Sequence, residues 1–200
     1  MPSYISDIAF TPQVKAEQEK RGSRAIYEKM VQTRDFHDRV TPELAAFLAE
    51  RNSLYLGTAT ADGQPYIQHR GGPKGLLRVL ADKPPGVADF SGTRQYLTVG
   101  NLAQNAKAYL FLMDYANRWR IKLWGRAHIV EGDDALIAKV SDPAYKARIE
   151  RVMLFEIAAW DSNCPQHIPR LIPAEEADAT INGLMARIGA LEAEVARLKA

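Results

Sequence analysis

The sequence predicts a mainly β protein of α+β character, built on a small antiparallel barrel. Two observations carry this. Between residues 54 and 161 short runs alternate apolar and polar residues, the period of strands with one buried face. Turn signals join neighbouring runs, and the helical patterns between them are short.

Taken in order, residues 12–31 are charged and helical in character, with a break at Gly22-Ser23. Residues 41–51 predict a helix with Thr41 as N-cap, Pro42 at its first position and an apolar stripe of Leu44, Phe47 and Leu48. The runs 54–60 and 65–71 flank Asp62-Gly63 and predict a hairpin. Residues 76–82, 86–90, 108–115 and 118–130 continue the strand series, the last two joined through Ala116-Asn117. In that last run Arg118, Arg120 and Lys122 share one face and Trp119, Ile121 and Leu123 the other. The basic stripe suits either a functional surface or a solvated strand face. Short helices are expected at 100–108, 133–140 and 143–150, and a further strand at 151–161.

The tail follows another rule. Ile181, Ile188 and Val195 recur every seven residues, as do Leu184, Leu191 and Leu198. β-Branched residues at every a and leucine at every d favour a parallel two-stranded coiled coil. A helix packed on its own domain would carry a similar stripe. Three parts are therefore expected: an N-terminal helical extension (1–40), a barrel (41–172) and a C-terminal helix (173–200).

Composition narrows the function. An apolar share of 46% suits a folded core. With 26 basic and 24 acidic residues the net charge is +2, which speaks against nucleic acid or an anionic membrane as main partner. Cys164 is the only cysteine; of a reactive thiol and a buried packing role, the latter is expected, since no cysteine partner exists and a proline follows. No secretory or transmembrane stretch is seen, so a cytoplasmic location is expected. The four histidines lack metal-ligand spacing, and no metal site is expected.

Three segments could hold chemistry. In "QHRGGPKG" (68–75), Gln68 and Arg70 share one strand face and His69 takes the other. The glycines let a ligand approach backbone N–H groups, and Arg70 and Lys74 add positive charge. A polar turn fits the segment equally well. In "DFSGTRQYLTVGNLAQN" (89–105), Ser91, Thr93, Arg94 and Thr98 precede or begin a helix, with Asn101 near its start; such a grouping suits a phosphate. No GxGxxG or P-loop motif occurs. The third, "WDSNCPQHIPR" (160–170), is a proline-held polar loop.

In this order, "ADGQPYIQHRGG", "ADFSGTRQYLTVGNLAQN", "KLWGRAHIV" and "WDSNCPQHIPR" resemble the FMN-binding split barrels related to pyridoxamine 5′-phosphate oxidase. The opening "FTPQVKAEQEKRGSRA" resembles a subgroup with a helical N-terminal extension, and the likeness runs over residues 8–172. It implies a six-stranded antiparallel split barrel with flanking helices, working as a homodimer with FMN at the interface. On that model Gln68, His69 and Arg70 line the ribityl and ring region, with His69 acting mainly through its backbone. Asp89, Phe90 and Ser91 add contacts from the neighbouring strand. Arg94, Thr98 and Asn101 hold the phosphate, and Gln166 and His167 reach the flavin bound mainly by the other subunit.

The sequence departs from the oxidase proper. Thr93-Arg94-Gln95 stands where that enzyme has an Arg-Lys pair, and the C-terminus lacks its substrate-binding segment. The resemblance thus implies an FMN-dependent oxidoreductase acting on an unknown small substrate, with no catalytic residue assigned. The alternatives are a storage or sensor protein that binds FMN without turnover, and a haem-handling split barrel using His69, His128 or His167.

Overall fold

The computed structural model describes residues 4–81, 84–162 and 165–199. The chain divides into two compact units, Met1–Met113 with Arg120–Cys164, and Asp114–Trp119 with Pro165–Ala200.

The first unit is built on a curled antiparallel sheet. Its strands are β1 (Ser53–Ala59), β2 (Pro65–Gly71), β3 (Leu77–Arg78), β4 (Gly86–Phe90), β5 (Lys107–Asp114), β6 (Trp119–Val130) and β7 (Ile149–Ser162), in the spatial order β2-β1-β5-β6-β7-β4-β3. All seven predicted runs contribute a strand, one more than the six-stranded barrel the resemblance implies, but of the 76–82 run only the two-residue β3 forms among its described residues. Alternation builds the core. Leu54 and Leu56 of β1, Leu110 and Leu112 of β5 and Ile121 and Leu123 of β6 are all buried. Each removes enough apolar surface from water to contribute about 1.5–3 kcal/mol. The opposite face of β1, β2, β5 and β6 carries Tyr55, Ile67, His69, Tyr109, Phe111 and Trp124, which are half-buried or exposed.

Helices close the unit. In α3 (Pro42–Ala49) the Thr41 side chain accepts from the Leu44 N–H, Pro42 sits where no N–H is needed, and Leu44, Phe47 and Leu48 are buried. In α5 (Asp134–Val140), Leu136 and Val140 pack with Ala88, Val152 and Leu154. The N-terminal extension forms a 3₁₀ turn (Ile5–Ile8), α1 (Pro12–Lys20) and α2 (Arg24–Thr33), broken at Gly22 as expected. Phe36 stacks on Trp124 at 5.5 Å, and His37 and Trp160 exchange two backbone hydrogen bonds. The extension therefore belongs to the same compact unit as the barrel.

Three expectations shift. Residues 143–150 are not helical: Asp142 makes a turn, accepting from Ala144 and Tyr145, and Ile149 is drawn into β7 opposite Phe90 of β4. The helix expected at 100–108 is α4 (Leu97–Gln104), because Lys107 onward pairs as β5. Arg118 leaves the strand face, sitting in the turn with φ 54, where Asp114 accepts from both N–H groups of Asn117. Lys122, from the same stripe, lies 5.2 Å over the Trp124 ring and 3.4 Å from Asp161.

In the second unit, α6 (Ala174–Lys199) runs for 26 residues and buries none of them. Among the described residues no helix is long and apolar enough to cross a membrane. Cys164, expected to pack in the core, lies outside the described residues.

Candidate functional site

β2 sorts its side chains by period. Tyr66, Gln68 and Arg70 are half-buried, while Ile67 and His69 are exposed on the other face. The inward set lines a cleft together with Asp89 and Phe90 of β4, the loop Gly92–Tyr96, the first residues of α4, and Glu150 and Arg151 of β7.

The floor of the cleft is an ion network. Arg70 Nη1 donates to Asp89 Oδ1 at 2.5 Å, and Asp89 Oδ2 stands 3.5 Å from Arg151 Nε. Asp89 and Arg151 are direct cross-strand neighbours, and the register of β4 on β7 shifts between Asp89 and Phe90. Such an irregularity re-aims side chains at a sheet edge; here Asp89 serves two arginines. Arg151 is buried and also bonds Glu150 at 2.6 Å. Burial works against its charge, but Asp89, the Tyr96 hydroxyl, Glu131 and Glu150 outweigh it and hold its pKa above the usual value. Ser91 hydrogen bonds to Glu150 and is the first influence keeping that carboxyl below its usual range.

The mouth is a strained loop. Arg94 and Tyr96 have φ of 60 and 56, left-handed values that side chains rarely adopt outside over-determined sites. Tyr96 is the N-cap of α4 and makes no side-chain cap hydrogen bond. Its phenol oxygen accepts from Arg94 Nε at 3.3 Å, and its ring lies 5.1 Å under the Arg151 guanidinium. The hydrogen bond from Arg94 lowers the Tyr96 pKa. Guanidinium groups thus gather beside this phenol at a helix N-terminus without a side-chain cap, and their donors suit an anion.

Of the residues expected at a site, Gln68, Arg70, Asp89, Phe90, Arg94 and Thr98 line this one cleft. Ser91 borders it through Glu150. Thr98 donates its hydroxyl to Gln68 Oε1 at 2.8 Å, tying α4 to β2. Asn101, one turn on, donates to Thr58 Oγ1 at 3.0 Å and anchors α4 to β1. His69 is not in the cleft; its ring meets Tyr55 edge-on at 5.4 Å on the other face. Gln166 and His167 lie in the second unit. Sequence reasoning missed Tyr66, Tyr96, Glu150 and Arg151. For Arg151 one signal existed, a lone arginine at the head of an apolar strand run.

FMN can be tested against this residue set. Arg70, Arg94 and Arg151 face two carboxylates, Asp89 and Glu150, leaving an excess of one positive charge in the lining. Among the described residues the buried Nε atoms of Arg70 and Arg151 have no hydrogen-bond partner, although Arg151 Nε lies 3.5 Å from carboxylate oxygens of Asp89 and Glu131. The Thr93 hydroxyl and the Gln68 amide NH2 complete a donor set that fits a phosphate ester carrying a polar chain, while the Thr98 hydroxyl is already given to Gln68. Among the described lining residues none is a histidine.

Comparison with known proteins agrees with the architecture. A model of a family described as pyridoxamine 5′-phosphate oxidase matches residues 40–178. Among solved structures, HupZ of Group A Streptococcus is 19% identical, with 67% of this chain and 100% of that chain covered and a TM-score of 0.50. An FMN-binding protein from Syntrophomonas wolfei subsp. wolfei is 18% identical, covering 70% of this chain and 95% of that one, TM-score 0.48. HutZ, the heme storage protein from Vibrio cholerae, is 16% identical, covering 60% and 90%, TM-score 0.38. At 19% identity the likeness to HupZ is one of fold. Among curated proteins no match is found.

Proposed function

The chain belongs to the pyridoxamine 5′-phosphate oxidase family, and from that premise we propose that it binds FMN in the β2–β4–α4 cleft and works as a flavin-dependent oxidoreductase on a small substrate. The observation that carries this is the meeting of Arg94 and Arg151 at the uncapped start of α4, around the phenol oxygen of Tyr96. A phosphate monoester offers several strong acceptors to such a group of donors.

Arg94, Thr93 and the first N–H groups of α4 would hold the phosphate, with Thr98 fixed by Gln68 to keep the helix start in place. Gln68 and Arg70 would meet the ribityl chain and ring, and Phe90 supplies an apolar wall. Asp89 holds Arg70 and Arg151 in position rather than touching an anion itself. When bound, FMN supplies hydride exchange at its N5, which needs no protein acid or base to carry the hydride. The cleft's charge and the fixed donors tune and orient the ring. The same reading makes the protein a homodimer with the flavin at the subunit boundary.

Haem handling through His69, His128 or His167 would use a surface other than this cleft, none of whose described lining residues is a histidine. The working test is the absorption spectrum of the purified protein, mass identification of the heat-released small molecule, and anaerobic mixing of FMN-loaded protein with nicotinamide donors. Released FMN and bleaching of the flavin bands support the reading. A Soret band without flavin would defeat it, and FMN without turnover on any donor or acceptor would reduce it to storage or sensing.

A further inference from the structure

We propose that α6 pairs with the α6 of a second copy of this chain as a parallel, in-register two-stranded coiled coil. The helix is the starting observation: 26 residues, none buried. Ile181, Leu184, Ile188, Leu191, Val195 and Leu198 are between 46% and 73% exposed, the largest run of apolar side chains on any one helix. Gly183 and Gly189 lie inside the helix with open space around them. Glycine is a poor helix former, and a helix this exposed gains nothing from burial to offset it. A partner along the apolar stripe would supply that burial.

The identity of the partner follows from the stripe itself. Taking Ile181 as position a, every large a residue is β-branched (Ile181, Ile188, Val195) and every large d residue is leucine (Leu184, Leu191, Leu198). In parallel pairs this division favours two strands over three or four. The flanking charges complement a second copy: Arg187 at g meets Glu192 at e of the other helix, and Glu194 at g meets Lys199 at e. The faces that look away from the seam are polar or small, with Glu175, Glu176, Asn182, Ala186, Ala193 and Arg197. A helix of another protein would need the same heptad pattern and the same charge order, which the chain already offers to itself.

This contact rests on α6 alone and does not depend on the cleft or on FMN. It is tested in the full-length chain on a Cys164→Ser background, with single spin labels at Asn182→Cys or Gly189→Cys, both at position b. A parallel in-register pair gives the same interspin distance at both sites. An antiparallel pair shifts the axial separation by about 21 Å between them, at 1.5 Å per residue over fourteen residues, and would overturn the proposal. Amide exchange over 174–199 is expected to be slowed about tenfold or more in the wild type and to speed up in Ile188→Asp. Equal, fast exchange in both would also overturn it. Arg187→Glu is expected to weaken the α6 pairing severalfold, and adding Glu192→Arg to restore it. All these variants are expected to keep FMN binding, so failure of the coiled coil and failure of the cleft assignment are read separately.

Discussion

Arg70 on β2 and Asp89 on β4 form an ion pair at 2.5 Å between the first and the sixth strand in the spatial order of the sheet. These strands share no backbone ladder, so the curl of the sheet is closed at this point by side chains. The two are 10% and 17% exposed, dry enough for the pair to matter. The residues that close the barrel are also those that line the cleft.

Asp89 holds two arginines and Arg70 only one acid, so their removal should differ. Asp89→Ala leaves two guanidinium groups without their shared partner and is expected to destabilise the fold by about 3–5 kcal/mol. Arg70→Ala leaves Asp89 paired with Arg151 and should cost about 1.5–3 kcal/mol. Urea unfolding of the two variants checks the ranking, and a larger loss for Arg70→Ala would show that Asp89 is not the hub.

Tyr96 competes for the donors assigned to the phosphate. Tyr96→Phe keeps the ring under Arg151 and frees Arg94 Nε, so FMN should bind more tightly by about 0.5–1.5 kcal/mol. Because Arg94 lowers the Tyr96 pKa, ionisation begins below the ordinary tyrosine range, and the phenolate competes harder. Wild-type affinity should therefore fall as pH rises into that range, and Tyr96→Phe should not show the fall. Fluorescence titrations across alkaline pH make the comparison.

His69 tests the sorting of β2 side chains between faces. It contacts Tyr55 outside the cleft, so His69→Ala should change FMN affinity by less than about 0.5 kcal/mol, the ordinary range for a surface substitution. Gln68→Ala, on the cleft face, should weaken it clearly. A reversed order would place the flavin on the other face of β2.

Asp35 gives an acid signature to the N-terminal extension. Partial burial opposes its charge, but hydrogen bonds from Ser6, Phe36 and Ile5 outweigh this and hold its pKa below the usual value. The stabilisation is present above the unfolded-state pKa and is lost as pH falls below about 4 through the folded value. Asp35→Asn should be less stable than wild type at neutral pH, with the difference shrinking in acid. Parallel thermal melts at neutral and acid pH measure it, and a difference that grew in acid would contradict the assignment.

Much of this was legible in the residues. Strand alternation separated Gln68 and Arg70 from His69, and Thr41-Pro42 and Asp62-Gly63 marked a helix start and a hairpin, because those signals are local. Arg118 and residues 143–150 were misread because neighbours decided them: the Asp114 turn took one, and pairing with Phe90 drew Ile149 into β7. Tyr96 and Arg151 joined the cleft through contacts across β4 and β7, which sequence spacing does not carry. The heptads of α6 were legible because their period lies wholly within one segment.

The central claim is that the cleft grips the phosphate of FMN. Titrating purified flavin-free protein with FMN and with riboflavin, in the wild type and in Arg94→Ala, tests it most directly. FMN is expected to bind more tightly than riboflavin, and Arg94→Ala to lose about 1.5–3 kcal/mol for FMN while leaving riboflavin almost unchanged. Equal binding of the two flavins, or an unchanged FMN affinity in Arg94→Ala, would contradict the account.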